Sequence, residues 1–232
     1  MFKRTAALLV CALLTLAFGG QPALAQNDVT LDDYPAFVRV PLIRQGSTYT
    51  CGIACLHSLL LWASADLDIN DERLMESCGT TQENGTAYQR LLQYLTETGA
   101  FDAAWHEGMT IDQLKSVIDK GGCVMMPLQA WEFKENAAGE TVSFTAEEYA
   151  NYWTGGHWVI ACGYNDTSVL FMDPSTGGCY TQLSMDALDV QWHDSPDFAA
   201  ADQAFTKLEH CGIAVYCPGG ATYDDNVVQP LR

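Results

Sequence analysis

The sequence contains little positive charge: 11 lysine and arginine residues stand against 29 aspartate and glutamate residues, for a net charge of −18 at pH 7. This balance argues against nucleic acids and anionic membrane surfaces as partners. No Cys-x-x-Cys pair occurs, and none of the five histidines has the spacing from cysteines that is typical of zinc ligands. We therefore expect no metal and no other cofactor.

No apolar run reaches the ~20 residues that a membrane-spanning helix needs. An N-terminal run from Thr5 to Phe18 follows the basic pair Lys3-Arg4 and precedes Ala23-Leu24-Ala25. This order predicts a secretory signal peptide over residues 1–25, cut after Ala25. We expect a secreted or otherwise extracytoplasmic protein without a membrane anchor. Loss of the two basic residues of the signal peptide would make the net charge −20.

The 207 residues that remain are enough for one large domain. We predict an extended N-terminal leader over residues 26–36, a single domain over residues 37–217 and a C-terminal tail over residues 218–232, in a monomeric protein. Eight cysteines lie beyond the signal peptide. One of them, Cys51, is a candidate nucleophile, and the other seven cannot all pair. An exported protein is expected to contain one or more disulfides, but their pairing stays open among seven cysteines: Cys55, Cys78, Cys123, Cys162, Cys179, Cys211 and Cys217.

Cys51 stands where loop residues give way to a helix that is apolar on nearly every side and extends to about Ala65. A thiol in the first turn of a helix faces unsatisfied N–H groups and the positive end of the helix dipole, which favour a thiolate. Gly52 is expected to let a substrate approach the backbone closely. Gln45, six residues earlier, can donate an amide N–H to an oxyanion together with the backbone N–H of Cys51.

A base for this thiol is found far downstream, at the start of a predicted strand that runs from Gly155 to Tyr164 and contains His157. A second strand, from Ser168, ends in Asp173. A three-residue loop from Tyr164 to Asp166 would make the two strands a hairpin and place His157 directly opposite Asp173. The sequence thus predicts a cysteine, a histidine and an aspartate in series.

The order of the remaining elements predicts an α+β fold, in which the Cys51 helix packs against an antiparallel sheet that carries His157 and Asp173. Helices come first and strands mostly after Cys123. The predicted helices are 71–79, 87–98, 110–119 and a short one after Ser184; the predicted strands besides the hairpin are 37–42, 123–128, 177–183 and 211–217.

The polar and aromatic segment 131–156 leads directly into His157 and has two interpretations of equal weight. It forms a wall or lid of a substrate cleft, or it is a surface excursion whose aromatic residues pack on the sheet.

Four separated signals in the correct order give the chain a resemblance to a known family. Gln45 precedes Cys51-Gly52-x-Ala54-Cys55, a Gly-His-Trp-Val-Ile strand ends in Gly-Tyr, and Asp173-Pro174 follows. This pattern resembles the papain-like cysteine peptidases of family thirty-nine, the bacteriocin-processing enzymes that cleave after a double glycine, and their stand-alone relatives. The resemblance covers about Val38 to Trp192.

The resemblance implies a papain-like fold and a cysteine peptidase that acts on a peptide or protein substrate, and the predicted signal peptide indicates that this peptidase is secreted. It implies Cys51 as nucleophile, His157 as general base, Asp173 as the residue that orients it and Gln45 at the oxyanion hole. The bacteriocin-processing members are fused to an export transporter, whereas no transporter segment occurs here, so a double-glycine preference does not follow. The alternatives are an acyl transferase, transpeptidase or amidohydrolase of the same superfamily, such as the phytochelatin-synthase-like enzymes, and a non-catalytic binding module of the same fold.

Overall fold

The computed structural model describes residues 29–63, 69–130, 132–176, 179–195 and 207–223. The chain divides into a unit Met1–Thr30 and a unit Leu31–Arg232, and the following account concerns the second. The predicted signal peptide lies outside the described residues, as do residues 26–28 of the predicted leader. Among the described residues, no helix has the length and the apolar character needed to cross a bilayer.

The described residues form six α-helices and eleven strands. The helices are α1 (Cys51–Ala63), α2 (Asp71–Cys78), α3 (Tyr88–Glu97), α4 (Ile111–Asp119), α5 (Ala146–Ala150) and α6 (Met185–Gln191). The strands are β1 (Ala36–Phe37), β2 (Asp102–His106), β3 (Cys123–Gln129), β4 (Phe133–Glu135), β5 (Thr141–Ser143), β6 (Gly156–Tyr164), β7 (Ser168–Met172), β8 (Tyr180–Ser184), β9 (His193–Asp194), β10 (Leu208–Glu209) and β11 (Gly212–Tyr216).

The main sheet is antiparallel throughout, in the order β2-β11-β3-β6-β7-β8, with β1 paired to the end of β6. Alternate residues of its central strands pack into two separate cores. One core contains α1, α2 and α3 together with Met125 and Ile160 of the sheet, and the other contains α4 and α6 together with Val124 and Val159. The sheet is therefore covered by helices on both faces, and the predicted α+β architecture is confirmed.

Helix α1 is buried on nearly every side, as its uninterrupted apolar sequence predicts. Ten of its 13 residues are buried, including Leu59 and Trp62. Two polar groups connect it to its surroundings: the Cys55 thiol donates to the Trp158 carbonyl of β6 at 3.4 Å, and the Ser58 hydroxyl donates to the Pro41 carbonyl at 2.6 Å. The Cys55 side chain is fully shielded from solvent.

Local caps fix the ends of several helices. Helix α2 ends at Gly79, whose positive φ of 63° is the left-handed conformation that glycine adopts easily. Thr110 and Thr145 each form a capping box with the residue three positions later, and Ser184 caps α6. These signals are short-range, because the cap side chain bonds an amide only two or three residues away.

Two predictions were wrong. The predicted strand 37–42 stops at Phe37, because the carbonyls of Val40 and Pro41 accept side-chain hydrogen bonds from Tyr180 and Ser58 rather than joining a ladder. Within the predicted tail, the amides of residues 222 and 223 donate to the Trp62 carbonyl near the end of α1, and residues 224–232 lie outside the described residues. Among the described residues, all eight cysteines are free thiols, so the expected disulfides are not formed.

The β6–β7 hairpin places His157 and Asp173 on one face of the sheet, as predicted, but its register differs from the predicted one. The loop does not pair Gly163 with Thr167; Tyr164 lies opposite Val169, and Gly163 lies opposite Leu170. This register alone would put His157 and Asp173 on opposite faces. A β-bulge at Cys162 shifts it by one residue, so that Ile160 pairs with Met172. His157 and Asp173 thus share a face, but they are diagonal neighbours rather than directly opposite.

The bulge is held by the N-terminal strand. The Cys162 carbonyl accepts a hydrogen bond of 2.7 Å from the Val38 amide, on the side of β6 where β1 pairs. At the next position only glycine fits comfortably, because a Cβ on Gly163 would lie 3.0 Å from the Ala36 carbonyl oxygen. The short β1 strand therefore contributes to the position of the catalytic candidates although it is far from them in sequence.

Candidate active site

Cys51 is the first residue of α1 and is only 6% exposed. The turn before it is closed by Thr50, whose hydroxyl accepts from the Ser47 amide at 3.0 Å and whose carbonyl accepts the first helical hydrogen bond, from Ala54. The N–H groups of this first turn have no partners within the helix, and they create a positive potential around the sulfur. The structure therefore gives Cys51 the predicted environment.

Gly52 has a different role from the one expected. A Cβ at this position would lie 3.2 Å from Thr86 and 3.3 Å from Trp158, and the residue is buried. Glycine here lets the start of α1 pack closely on β6. The expectation that it opens the backbone to a substrate was wrong.

The thiol of Cys51 meets the imidazole of His157, which is the second residue of β6. Nε2 of His157 bonds Oδ1 of Asp173 at 2.9 Å, so Nδ1 is the ring nitrogen that is available to the sulfur. The Cys51 side chain is close enough to contribute to the raised pKa of His157. Both partners of the 2.9 Å pair are shielded from solvent, with side-chain exposures of 9% and 3%. The structure thus brings Cys51, His157 and Asp173 together in series.

The charged form of His157 is stabilised in this site. Burial by itself lowers the pKa of His157, but the hydrogen bond to Asp173 and the interactions with Cys51 outweigh it and raise the pKa to about 9. Conversely, burial alone would raise the pKa of Asp173, yet the bond to His157 and two bonds from Ser175 keep that pKa below its ordinary value. At neutral pH the pair is therefore an imidazolium and a carboxylate.

Asp173 is held by residues that the sequence reasoning missed. The Ser175 amide and hydroxyl both donate to Oδ1, at 2.8 and 2.7 Å, and the Thr181 hydroxyl lies 3.4 Å from Oδ2. The Asp-Pro-Ser sequence is a recognisable signal for the first of these contacts, because an aspartate side chain often accepts the amide two residues later. The Thr181 contact depends on the β7–β8 pairing and has no local signal.

Gln45 lies beside the site, but its amide is engaged locally. Its backbone N–H donates to the Pro174 carbonyl at 2.9 Å, next to Asp173, and its Nε2 donates to the Ser47 carbonyl at 2.7 Å. Its Oε1 is buried and has no hydrogen-bond partner. The residue does not line the cavity at Cys51. Gln45 is therefore hydrogen-bonded both beside Asp173 and in the loop before Cys51. The second N–H of its side-chain amide has no assigned acceptor.

The other thiol in the motif is unsuited to nucleophilic chemistry. Burial raises the pKa of Cys55 well above the ordinary value for a thiol, and the neighbouring Cys51 and Asp173 raise it further. Trp158, on the opposite face of β6 from His157, belongs to the core around α1.

Two cavities border the series. One, of about 250 Å³, is lined by Cys51, Trp158 and the loop 82–86, and the other, of about 210 Å³, is lined by Asp173 and the aromatic residues Phe133, Phe144 and Tyr149. Thr154 borders the first cavity. The segment 131–156 thus contributes to both cavities, which is the position expected of a cleft wall. Among the described residues, no group of three or more histidine, cysteine or acidic residues is arranged to hold a metal ion.

A helix-borne thiol linked to an imidazole and a carboxylate on an antiparallel sheet is the framework of a papain-like thiol enzyme. Residues 37–196 match the family model described as the Peptidase_C39 like family, so the chain belongs to that family of cysteine peptidases. The family resemblance and the fold class predicted from the sequence are both confirmed. A comparison with curated proteins found no match.

Three solved structures show similarity to the chain. A double glycine motif protease from an AMS/PCAT transporter, solved with its leader peptide, is 17% identical over 78% of this chain and 92% of its own, with a TM-score of 0.47. A protein described as a C39-like peptidase from Bacillus anthracis is 16% identical over 77% and 95%, with a TM-score of 0.49. The peptidase domain of Streptococcus ComA is 13% identical over 77% and 97%, with a TM-score of 0.44.

The pKa of His157 should depend on Asp173. In the wild type, ¹³C-labelled histidine should show His157 titrating near pH 9, and in Asp173→Asn its pKa should fall, because burial then opposes the charge without a carboxylate. Since the folded-state pKa is raised, the stabilisation from charged His157 is complete below pH 6.5 and is lost as the pH rises through about 9. An Asp186→Asn variant, which removes an exposed acid of α6, serves as the control. An identical His157 titration in wild type and Asp173→Asn would contradict this account.

Proposed function

We propose that this protein is a cysteine peptidase that hydrolyses peptide bonds with Cys51 as nucleophile, His157 as general acid and base, and Asp173 as the residue that orients the imidazole. The observation that supports it most directly is the buried Cys51–His157–Asp173 series, in a chain that belongs to a cysteine peptidase family. Cavities on two sides of the series offer space for peptide side chains.

Before acylation, the proton of the Cys51 thiol lies on Nδ1 of His157, and the thiolate sulfur forms a bond to the substrate carbonyl carbon. The carbonyl electron pair moves to oxygen and returns as the carbon–nitrogen bond breaks. The departing amine takes the proton from the His157 imidazolium, which leaves a thioester on Cys51 and a neutral imidazole. A water molecule then gives a proton to the neutral His157 and attacks the thioester, and the carboxylic acid leaves as the thiolate and the imidazolium are restored. Asp173 keeps the ring oriented through the 2.9 Å bond at Nε2.

Two donors are proposed for the oxyanion: the backbone N–H of Cys51 and the second N–H of the Gln45 amide. The support for Gln45 is its attachment to Pro174 on one side and to the loop before Cys51 on the other. Oε1 of Gln45 is buried and accepts no hydrogen bond, so the side-chain amide is held only through Nε2.

Replacing the nucleophile should abolish cleavage. In a peptide library analysed by mass spectrometry, Cys51→Ala should lose at least about 10³-fold in rate, because no other group can form the acyl-enzyme. Cys179→Ser, which removes an exposed thiol, should retain activity.

Iodoacetamide should label Cys51 and spare the buried Cys55 in the folded protein. Equal cleavage by wild type and Cys51→Ala would refute the peptidase, whereas new amide or thioester products with an added amine or thiol would indicate acyl transfer.

Loss of the oxyanion donor should lower turnover rather than binding. Gln45→Ala and Gln45→Glu both remove the amide N–H, and each should lower kcat by about 10²- to 10³-fold with little change in KM, as for other oxyanion donors. The glutamate variant retains the size of the side chain and so controls for packing. An unchanged kcat in both variants would assign Gln45 a purely structural role.

We also propose that the protein is exported, from the basic, apolar and small-residue order of residues 1–25. Sequencing of the protein recovered from its native host should give an N terminus at Gln26 in the extracytoplasmic fraction. A protein that keeps Met1 and stays in the cytoplasm would show that the segment is not a signal peptide.

A further inference from the structure

Asp194 is a buried acid that the proposed reaction does not use. It is only 8% exposed, and it lines the same cavity of about 250 Å³ as the nucleophile Cys51. It lies on the short strand β9, directly after α6, far from Cys51 in sequence. A carboxylate that shares a cavity with the nucleophile lies within reach of a substrate side chain.

The carboxylate is fixed in place by neutral groups alone. Oδ1 accepts a hydrogen bond of 3.2 Å from Nε2 of Gln129, which is itself fully buried and accepts from the Gly155 amide at 2.9 Å. The Ser195 backbone N–H is a further donor. None of the ion pairs found among the described residues involves Asp194. Hydrogen bonds thus position this acid, and no cationic side chain of the described residues forms an ion pair with it.

Burial without a cation has a measurable consequence for Asp194. It raises the pKa of the carboxyl to about 7, although the bonds from Ser195 and Gln129 act in the opposite direction. A cation that enters the cavity would favour the ionised form and gain a charge-assisted hydrogen bond at a site of low solvent exposure.

The backbone next to His157 is adapted to this carboxylate. Gly156 immediately precedes His157, and a Cβ at Gly156 would lie only 2.5 Å from Oδ1 of Asp194. Glycine at this position therefore lets the carboxylate lie against the strand that carries the general base. Because successive residues of an extended peptide advance about 3.3 Å, a side chain that enters this cavity belongs to a residue within one or two positions of the scissile bond.

The charged side chains that line this cavity are acidic. Among the described residues, its lining contains Asp194 and, on the exposed loop 82–86, Glu83, but no lysine or arginine. Asp194 also lines an adjoining cavity that includes Arg90, but the two side chains form no ion pair. The whole chain carries a net charge of −18, which attracts cations from solution. A peptide with a basic side chain near the scissile bond therefore matches the cavity better than a neutral or acidic one.

We propose that Asp194 determines substrate specificity by binding the ammonium or guanidinium group of a lysine or arginine side chain, at a residue within two positions of the scissile bond. This inference rests on the proposed peptidase function, since it assigns the cavity at Cys51 to a peptide substrate. Gln129 is the positioning residue that holds the carboxylate, and Gly156 provides the space for it.

The test uses the full-length chain with Cys51→Ala, which binds peptides without cleaving them, and N-acetylated peptides that carry either arginine or its neutral isostere citrulline at one position. The arginine peptide should bind at least about ten-fold more tightly at one position near the scissile bond. Adding Asp194→Asn should reduce the ratio to less than about two-fold while the citrulline peptide binds as before. Adding Asp186→Asn, which removes one exposed acid of α6, should preserve the ten-fold ratio.

Three results would overturn the proposal. The Cys51→Ala protein could bind both peptides equally, the arginine-to-citrulline affinity ratio could stay the same after Asp194→Asn is added, or Asp194→Asn could abolish the binding of both peptides. The last would show that Asp194 only supports Gln129 and the Gly155 backbone. The experiment distinguishes failure of the proposed peptidase activity from failure of the proposed subsite. If the Cys51→Ala protein prefers the arginine peptide but the wild type cleaves no peptide, the peptidase activity is refuted and the subsite is supported. If the wild type cleaves peptides but the arginine preference is absent, the subsite is refuted and the peptidase activity is supported.

Discussion

The candidate site depends on the buried hydrogen bond between His157 and Asp173. This bond exists only because the β-bulge at Cys162 shifts the β6–β7 pairing by one residue. The shift makes both side chains project from one face of the sheet. Removal of the bulge would move Asp173 to the other face, where no change of rotamer could restore the contact. The position of the carboxylate is therefore a property of backbone pairing, and Ser175 and Thr181 only refine it.

A second constraint is the packing of α1 on β6, which brings a thiol from one half of the chain to an imidazole from the other. Glycine at position 52 and the Cys55–Trp158 hydrogen bond allow the start of the helix to approach the strand closely. Burial of the largely apolar surface of α1 also holds the helix there. The end of the helix that carries Cys51 is thus attached to the core.

Gln129 connects the site to the rest of the cleft. It binds the Gly155 amide just before His157 and also reaches the His193 carbonyl and the Asp194 carboxylate. The fully buried side-chain amide of Gln129 thereby connects the end of β3, the start of β6 and the short strand β9. This arrangement places Asp194 in the lining of the same cavity as Cys51.

By itself, the sequence was sufficient for the features that depend on neighbouring residues. The buried helix with Cys51 at its head, the caps at Gly79, Thr110, Thr145 and Ser184, and the strand that begins near His157 all follow from periodicity or from contacts within a few positions. The family membership follows from the order of a few motifs. Each of these signals is carried by a stretch short enough for its residues to interact directly.

Only the tertiary structure decided the rest. The β6–β7 register depends on a bulge held by Val38, the early end of β1 depends on Ser58 and Tyr180, and the free state of the cysteines depends on where seven distant thiols lie. Asp194 carries no local signal, because its importance arises from sharing a cavity with Cys51 across more than half of the chain. Local sequence specifies backbone preferences of a few residues at a time, whereas register, burial and shared cavities result from packing between segments that have no sequence proximity.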